Sequence, residues 1–261
     1  MPEGDVGALG VAASLVLVAV AVALSWREGL GLERTLVWSA VRALVQLLLV
    51  GAALALVIDP DRPLILSWLW VVVMLAFAAD VARRRSPEVP GMATLALLAF
   101  AATGAVAIGV LFGLGILPLE GRTLVPMAGL AIGNAMSATV LAARRITEEI
   151  RDKRLEVEAR LALGQSSRQA SRPYVRTALR AALIPQIETT KAVGIVFLPG
   201  AMTGLILAGV EPVDAVLVQV VVMYLVLGSA ATATAVVAIG LVRRLFTPDH
   251  RLVPLSRPAD G

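Results

Sequence analysis

EARLALGQSSRQA, residues 158–170, is a charged stretch set between two long apolar segments, and it decides how the whole chain is organised. Its first half fits a helix, and Gly164 is a natural helix stop. Ser166, followed three residues later by Gln169, fits a capping box that begins a second helix. The stretch therefore predicts a polar helix–turn–helix in the middle of an otherwise apolar chain.

Composition places the rest of the chain in a membrane. Hydrophobic residues make up 58% of the 261 residues and charged residues 16%, whereas a soluble domain has about 45–50% and about 25%. The sequence contains no cysteine, which excludes disulfides, thiolate metal sites and thiol nucleophiles. The N-terminus, MPEGD, has no basic region, so the first apolar run is interpreted as a retained span and not as a cleaved signal.

Seven segments are long enough to cross a bilayer, since a spanning helix needs about 20 apolar residues. The predicted fold class is an all-α integral membrane protein of about seven transmembrane helices. It has one transmembrane domain over residues 1–246 and a polar tail, predicted to be disordered, over residues 247–261. The predicted spans are residues 6–26, 35–58, 64–82, 91–117, 122–143, 188–209 and 213–242.

Lysine and arginine are distributed unequally among the loops, and cytoplasmic loops carry the excess. The loops after the first, third and fifth spans and the C-terminal tail are rich in basic residues, whereas the other loops carry at most one. This alternation predicts an external N-terminus and a cytoplasmic C-terminus. It also places the polar region 144–187 in the cytoplasm.

Span five is predicted to continue into this region as a charged helix, with i,i+4 pairs of Glu149 with Lys153 and of Glu156 with Arg160. The second helix is predicted to lie along the inner membrane surface and to end at Pro185. An alternative interpretation of the whole region 144–187 is a solvated loop that only links two spans. The second helix presents a basic stripe of Arg172, Arg176 and Arg180.

Span five carries small residues at four-residue spacing, namely Gly129, Gly133 and Ser137. Such spacing lets two helices approach closely in lipid, so the glycines are predicted to pack. Asn134 needs a partner in hydrocarbon. Asn134 and Ser137 are therefore candidates either for an interhelical hydrogen bond or for the lining of a translocation path.

Span six contains Pro199 and Gly200 near its middle, followed by Met202 and Thr203. Proline removes a backbone donor and clashes with the preceding turn, and broken spans often mark substrate sites in transporters. These four residues are candidates for a translocation path. A plain kink is the alternative, with Gly204 as a packing position.

Two further polar groups lie inside predicted spans. Arg42 and Gln46 share one face of span two, and charge within a span usually faces the bundle interior. They are path candidates, although Arg42 is also placed to snorkel to the interface. Glu188 and Lys191 lie one turn apart in span six and are predicted to pair, with a gate as the second interpretation.

Several chemistries have no matching motif in this sequence. There is no G-x-x-x-x-G-K-[ST] phosphate loop, so ATP hydrolysis by that route belongs to another chain. No cluster of histidine, cysteine and carboxylate fits a tight metal site, and no catalytic constellation suggests an enzyme. The thioethers of Met136 and Met202 are the two predicted weak contacts for a metal in transit.

The order of Glu158 and Ala159, then Gly164, is similar to the coupling loop of ABC-transporter permeases, with Arg160 in place of a second alanine. In that family this loop forms a short helix that docks in a groove of the ATP-binding subunit. The resemblance implies that Glu158, Ala159, Gly164, Ser166 and Arg168 couple this chain to an ATPase.

Three longer stretches resemble the FetB-type permeases, which are bacterial iron-export ABC permeases with plant relatives linked to aluminium tolerance. The stretches are PMAGLAIGNAMSATVLA (126–142), EARLALG (158–164) and KAVGIVFLPGAMTGLILAG (191–209). The resemblance extends over essentially the whole chain. It departs at Ala201, where a methionine is expected, and at Glu188, where an amide is expected.

The resemblance implies a permease subunit of an ABC exporter in the cytoplasmic membrane, with iron as cargo. This chain would bind no cofactor, because ATP and magnesium belong to the ATPase subunit that docks on the hairpin 156–170. Two permease chains and two ATPase subunits would assemble in lipid, without nucleic acid. The alternatives are the same architecture with another metal or a nucleotide sugar as cargo, and a stand-alone secondary carrier.

Overall fold

The computed structural model describes residues 8–59, 62–194 and 198–253. Residues 6–7 of the predicted first span, 195–197 of the predicted sixth span and 254–261 of the predicted tail lie outside these ranges. The described residues form nine helices. In chain order they are α1 Ala8–Arg27, α2 Glu33–Val57, α3 Ile65–Arg85, α4 Met92–Leu111, α5 Gly121–Asp152, α6 Arg154–Ala162, α7 Ser167–Ala192, α8 Gly200–Leu207 and α9 Pro212–Leu245.

The predicted all-α class is confirmed. The described residues fold into helices and turns, with no β structure beyond isolated bridges. Six of the helices are long and apolar enough to cross a membrane, and each corresponds to one predicted span. These six are α1, α2, α3, α4, α5 and α9.

The predicted sixth span, residues 188–209, is not a single helix. The end of α7 supplies its first residues, and α8, which has eight residues, begins only at Gly200. Gly194 has φ +89°, a left-handed conformation that ends a helix. Pro199, at the N-cap of α8, has no N–H to donate to a continuing helix. Pro199 and Gly200 predicted a break or a kink at this point, whereas hydropathy did not, because both sides of it are apolar.

Two other boundaries differ from the prediction. α4 ends at Leu111 instead of residue 117, because a turn with Gly115 at φ +68° follows it. The backbone N–H of Leu117 donates to the carbonyl of Leu111 at 3.0 Å and closes this turn. α5 continues beyond span five as predicted, but Lys153 interrupts the helix and separates α5 from α6.

The core of the bundle lies among α3, α4, α5, α7 and α9, and it is rich in alanine. Half of the apolar window of α9 is buried, and 44% of those of α4 and α5. Small side chains let helices approach closely in lipid, where apolar burial gives no driving force between helices. Gly240 is one such position, since a Cβ there would collide with the side chain of Leu95. Buried alanines of these helices include Ala96, Ala99, Ala107, Ala128, Ala131, Ala135, Ala142, Ala143, Ala230, Ala233 and Ala238.

The helices α1 and α2 form an arm that stands apart from this core. Only 6% of the α1 window and none of the α2 window is buried. The joint of the arm is polar, because Ser25 Oγ donates to Glu33 Oε1 at 2.8 Å and accepts from the N–H of Leu32. The arm therefore presents nearly all of its apolar surface to its surroundings.

One end of the bundle, called here the basic end, gathers the α3–α4 loop, α5 and α9. Arg144 Nε of α5 lies 2.9 Å from Glu88 Oε1 of that loop. Arg244 of α9 donates to the carbonyl of Gly91 at 2.8 Å. The hairpin of α6 and α7 lies at the same end, through α5 and the chain that follows α9. The lysine and arginine distribution predicts that this end faces the cytoplasm.

Candidate coupling hairpin and broken span

The turn between α6 and α7 is a Schellman motif centred on Gly164. The N–H of Gly164 donates to the carbonyl of Leu161 at 2.9 Å, and that of Gln165 donates to the carbonyl of Arg160 at 3.2 Å. Gly164 has φ +83°, which only glycine adopts without strain. The predicted helix stop is therefore present at the expected residue.

The second helix begins with the predicted capping box. Ser166 Oγ accepts from the backbone N–H of Gln169 at 3.4 Å, and Gln169 Oε1 accepts from the backbone N–H of Ser166 at 3.0 Å. Arg168, one of the predicted coupling residues, is exposed on the first turn of α7. The two caps fix the angle at which the chain leaves α6 and enters α7.

Polar contacts attach α6 to α7 through a group called here the Glu156 cluster, which consists of Lys153, Glu156, Arg160 and Tyr174. The hydroxyl of Tyr174 donates to Glu156 Oε2 at 3.0 Å, and Lys153 Nζ lies 2.9 Å from Glu156 Oε1. The guanidinium of Arg160 lies 6.0 Å from the centre of the Tyr174 ring, within reach of a cation–π contact. Val157 is fully buried beneath the cluster.

The cluster differs from the predicted i,i+4 pairs. Glu156 pairs with Lys153 and Tyr174 instead of Arg160, and Lys153 pairs with Glu156 instead of Glu149, because Lys153 ends α5. The hydrogen bonds from Lys153 and Tyr174 lower the pKa of Glu156, and the hydrogen bond to Glu156 raises the pKa of Lys153. Both groups are therefore charged across the physiological range.

The opposite side of α6 is an apolar face formed by Leu155, Ala159 and Leu163. The leucines are 81% and 82% exposed, and Ala159 is also exposed. Glu158 borders this face and pairs with Arg154 at 2.7 Å. Exposed apolar side chains at i, i+4 and i+8 are typical of a helix that lies in a partner's groove. The leucines were missed in the sequence, although their spacing could have identified them.

The chain after α9 folds back onto the hairpin. Thr247 N–H donates to the carbonyl of Arg251 at 2.8 Å, and the turn places His250 against the first residue of α7. His250 Nδ1 lies 2.7 Å from Ser167 Oγ and 3.3 Å from Ser167 N. Residues 247–253, the first part of the tail that was predicted to be disordered, thus contact the hairpin. No local pattern signals this contact, because 83 residues separate its two partners.

At its other end α7 leads into the break of span six. The helix passes through Pro185, so the predicted end at this residue is wrong. The α7 residues Ala178 and Ala182, which precede the proline, are buried, whereas no α7 residue after it is. Glu188 and Lys191 form the predicted pair, with Nζ and Oε1 2.9 Å apart.

The helix α8 beyond the break is loosely held. None of its residues is buried. Thr203 Oγ1 donates to the carbonyl of Pro199 at 3.2 Å, and the side chain of Met202 is half-buried. A Cβ added at Gly200 or Gly204 would meet no atom within 4 Å, so neither is a close-packing position within this chain.

The predicted residues of α5 are divided between the core and its surface. Met136 packs against the core, and a Cβ at Gly129 would lie 2.9 Å from Met74 of α3. Asn134 donates to the carbonyl of Leu130 at 2.9 Å in its own helix. Gly133, in contrast, faces open space.

Arg42 and Gln46 remain apart from the other path candidates. Both are exposed on α2, and neither has a hydrogen bond or ion pair with any described residue. Within the described parts of the chain, no three histidine, cysteine or carboxylate groups lie close enough to hold a metal ion.

The comparison with protein families decides the relationship of this chain. The family described as "Uncharacterised protein family (UPF0014)" matches residues 8–246, which span all nine helices. The chain belongs to the UPF0014 family. It is a multi-pass membrane protein, given that membership and six helices able to cross a bilayer.

Members of the UPF0014 family from bacteria and plants are similar to this chain over most of their length. "Probable iron export permease protein FetB" of Escherichia coli is 33% identical over 243 residues, covering 93% of each chain. "UPF0014 membrane protein STAR2" of rice is 35% identical, covering 88% of this chain and 80% of the relative. "Protein ALUMINUM SENSITIVE 3" of Arabidopsis thaliana is 34% identical, covering 87% and 83%. No solved structure matches the chain.

Proposed function

We propose that this chain is the permease subunit of an ABC exporter in the cytoplasmic membrane, with iron as cargo. A separate ATPase subunit, which binds ATP and magnesium, docks on the hairpin 156–170. The name of the Escherichia coli relative supports a permease with this cargo. The sequence contains no phosphate loop, so an ABC exporter built on this chain would hydrolyse ATP in a partner subunit.

One observation carries the proposal: α7 joins the hairpin directly to the break in span six. It is continuous from Ser167 to Ala192, 26 residues, or about 39 Å at 1.5 Å per residue. A displacement of the hairpin therefore reaches the break through a single helix. The apolar face of α6, outside the spanning segments, supplies the surface on which an ATPase would close.

The proposed cycle follows from this connection. ATP closes the two ATPase subunits, and the hairpin around Gly164 moves with them. α5 and α7 shift together because they pack against each other. The change then reaches the predicted path near Asn134 and Pro199, where cargo access switches from one side of the membrane to the other. Carbonyls freed at the break, together with the thioether of Met202, would hold a metal weakly and release it readily.

The arm of α1 and α2 supports assembly as a dimer of permease chains. A guanidinium in hydrocarbon without a partner is costly, and Arg42 has no partner among the described residues of its own chain. The surface of a second permease chain would cover this face of α2 and place Arg42 and Gln46 at the interface.

The first experiment isolates the tagged full chain from its native membrane in mild detergent and identifies the proteins that accompany it. We expect an ATPase subunit with a phosphate-loop motif. The double variant Leu155→Ser with Leu163→Ser should lose this subunit, because it removes the apolar face while leaving the Glu156 cluster intact. Leu119→Ser is the matched control, an exposed leucine in the α4–α5 loop that is predicted to lie on the other side of the membrane.

Recovery of the ATPase with the wild type and with Leu119→Ser, but not with the double variant, supports the docking surface. A folded wild-type chain that recovers no ATPase contradicts the ABC assignment and favours a secondary carrier. Cargo is tested separately in vesicles that contain both subunits. ATP-dependent movement of iron is expected, and movement of another metal or a nucleotide sugar in its place would overturn the cargo alone.

A further inference from the structure

A cavity of about 370 Å³ opens between the end of α3 and the middle of α5, at the basic end of the bundle. Three guanidinium groups line it, from Arg85, Arg144 and Arg145. Among the described residues of this lining, the only carboxylate is that of Glu148. None of the functions proposed above uses these arginines.

The three arginines differ in how they are held. Arg144 is fixed by Glu88, with Nε and Oε1 2.9 Å apart, and Arg145 by Glu148, with Nη1 and Oε2 3.3 Å apart. Arg85 has no acidic partner among the described residues, although the neighbouring Arg84 is paired with Asp80. The cavity thus combines two oriented guanidiniums with one that is free to bind an anion.

The other half of the cavity is apolar and extends along α5 into the predicted span five. Val140 and Leu141 line it, and the hydroxyl of Ser137 lies one turn further along α5. Beyond Ser137, a Cβ at Gly133 would meet no atom within 4 Å, so an open strip continues along the helix. A soluble anion would need only the arginines, whereas a molecule with a charged head and an apolar tail would use both halves.

We propose that this cavity binds the phosphate headgroup of an anionic membrane phospholipid, with an acyl chain along the strip at Gly133 and Ser137. Guanidinium groups suit phosphate because they donate paired hydrogen bonds in a fixed plane. Basic pockets between spanning helices at the membrane surface are a known setting for lipid headgroups. The inference rests on the membrane location and does not depend on the ATPase or the cargo.

The test uses the full chain, purified, stripped of lipid and titrated with phosphatidylglycerol, phosphatidylcholine or inorganic phosphate while bound lipid is counted by native mass spectrometry. Phosphatidylglycerol should bind more tightly than phosphatidylcholine. Arg85→Gln should weaken phosphatidylglycerol binding about fivefold, the effect of one basic group near an anionic headgroup. Arg84→Gln, which removes the same charge outside the cavity, should leave it unchanged.

A second variant separates a lipid from a soluble anion. Gly133→Leu fills the open strip without altering charge, and leucine favours the helix more than glycine does. It should weaken phosphatidylglycerol binding and leave any binding of inorganic phosphate as in the wild type. Equal losses in Arg84→Gln and Arg85→Gln would overturn the site in favour of a diffuse basic surface. Full competition by inorganic phosphate would overturn the lipid in favour of a soluble ligand.

Discussion

The hairpin and the break lie at opposite ends of α7, and they are held in opposite ways. At the hairpin, two helix caps, the Glu156 cluster and the contact with His250 fix α6 and the start of α7. At the break, no residue of α8 is buried, and Gly194 and Pro199 interrupt the helix. The hairpin end of α7 is held by several contacts, whereas the end at the break is held by few.

This difference indicates where the structure would change when α7 is displaced. A helix tied at one end transmits motion along its length, and the motion accumulates where few contacts resist it. The break meets that condition because α8 has contacts chiefly with α9. Stiffening the break or loosening the hairpin should each reduce the coupling of ATP hydrolysis to transport. Deuterium exchange at each end of α7 distinguishes the two changes.

Gly164→Val should have the largest effect, because it introduces backbone strain into the hairpin turn. A side chain at φ +83° costs about 1–2 kcal/mol, and more for a β-branched residue. The hairpin should reorganise, and ATP-driven transport in vesicles should fall about tenfold or more. Gly29→Val is the control, since Gly29 ends α1 in the same motif with open space around it. Transport at the wild-type rate in Gly164→Val would exclude a role for this turn.

Pro199→Ala should have the next largest effect, because it stiffens the break between α7 and α8. Removing the proline restores a donor and frees Leu198 to adopt helical angles. Transport should fall several-fold while the ATPase still binds, and amides next to Gly200 should exchange more slowly with deuterium. Pro185→Ala is the control, because Pro185 lies within α7 where the backbone is already helical, so this change should alter neither property. A Pro199→Ala chain with normal transport would show that the break is only a kink.

The sequence predicted what depends on nearby residues. Ser166 and Gln169 form their capping box within one turn, and Gly164 ends a helix by its own conformation, so both were readable. Pro185 was misjudged because α7 continues through it, which the local rule that proline ends a helix does not predict. The contact of Ser167 with His250 joins residues 83 apart, so no pattern within one segment could show it.

Hydropathy does not distinguish the core helices of this bundle from the peripheral ones. The spans of α2 and α9 have mean hydropathies of 1.8 and 2.2, yet none of the first window and half of the second is buried. Apolar character states only that a helix enters lipid, because in a bilayer both the core and the periphery are apolar. Alanine content does not separate them either, because α1 and α2 contain alanine as the core helices do. Tertiary packing decides which alanines are buried.

Tyr174→Phe should moderately weaken the attachment of α6 to α7 at the hairpin. It removes the hydroxyl that donates to Glu156 and keeps the ring beneath Arg160. Deuterium exchange of the α6 amides should become about twofold to fivefold faster, as expected for one lost hydrogen bond. Tyr224→Phe is the matched control, because Tyr224 is 70% exposed on α9. Equal exchange in the two variants would mean that α6 is held by Val157 and the caps alone.

Physiological changes of pH should leave the Glu156 cluster unaffected, and the sign of each shift explains why. The pKa of Glu156 is lowered in the folded chain from an ordinary value of 4.5, so its stabilisation is complete above that value and is lost only as pH falls through the lower folded pKa. The pKa of Lys153 is raised from 10.5, so its stabilisation is complete below that value and is lost only as pH rises through the higher folded pKa. Deuterium exchange of α6, corrected for the intrinsic effect of pH, should be constant from about pH 6 to about pH 8. If α6 loosened within that interval, a group outside the cluster would be controlling the hairpin.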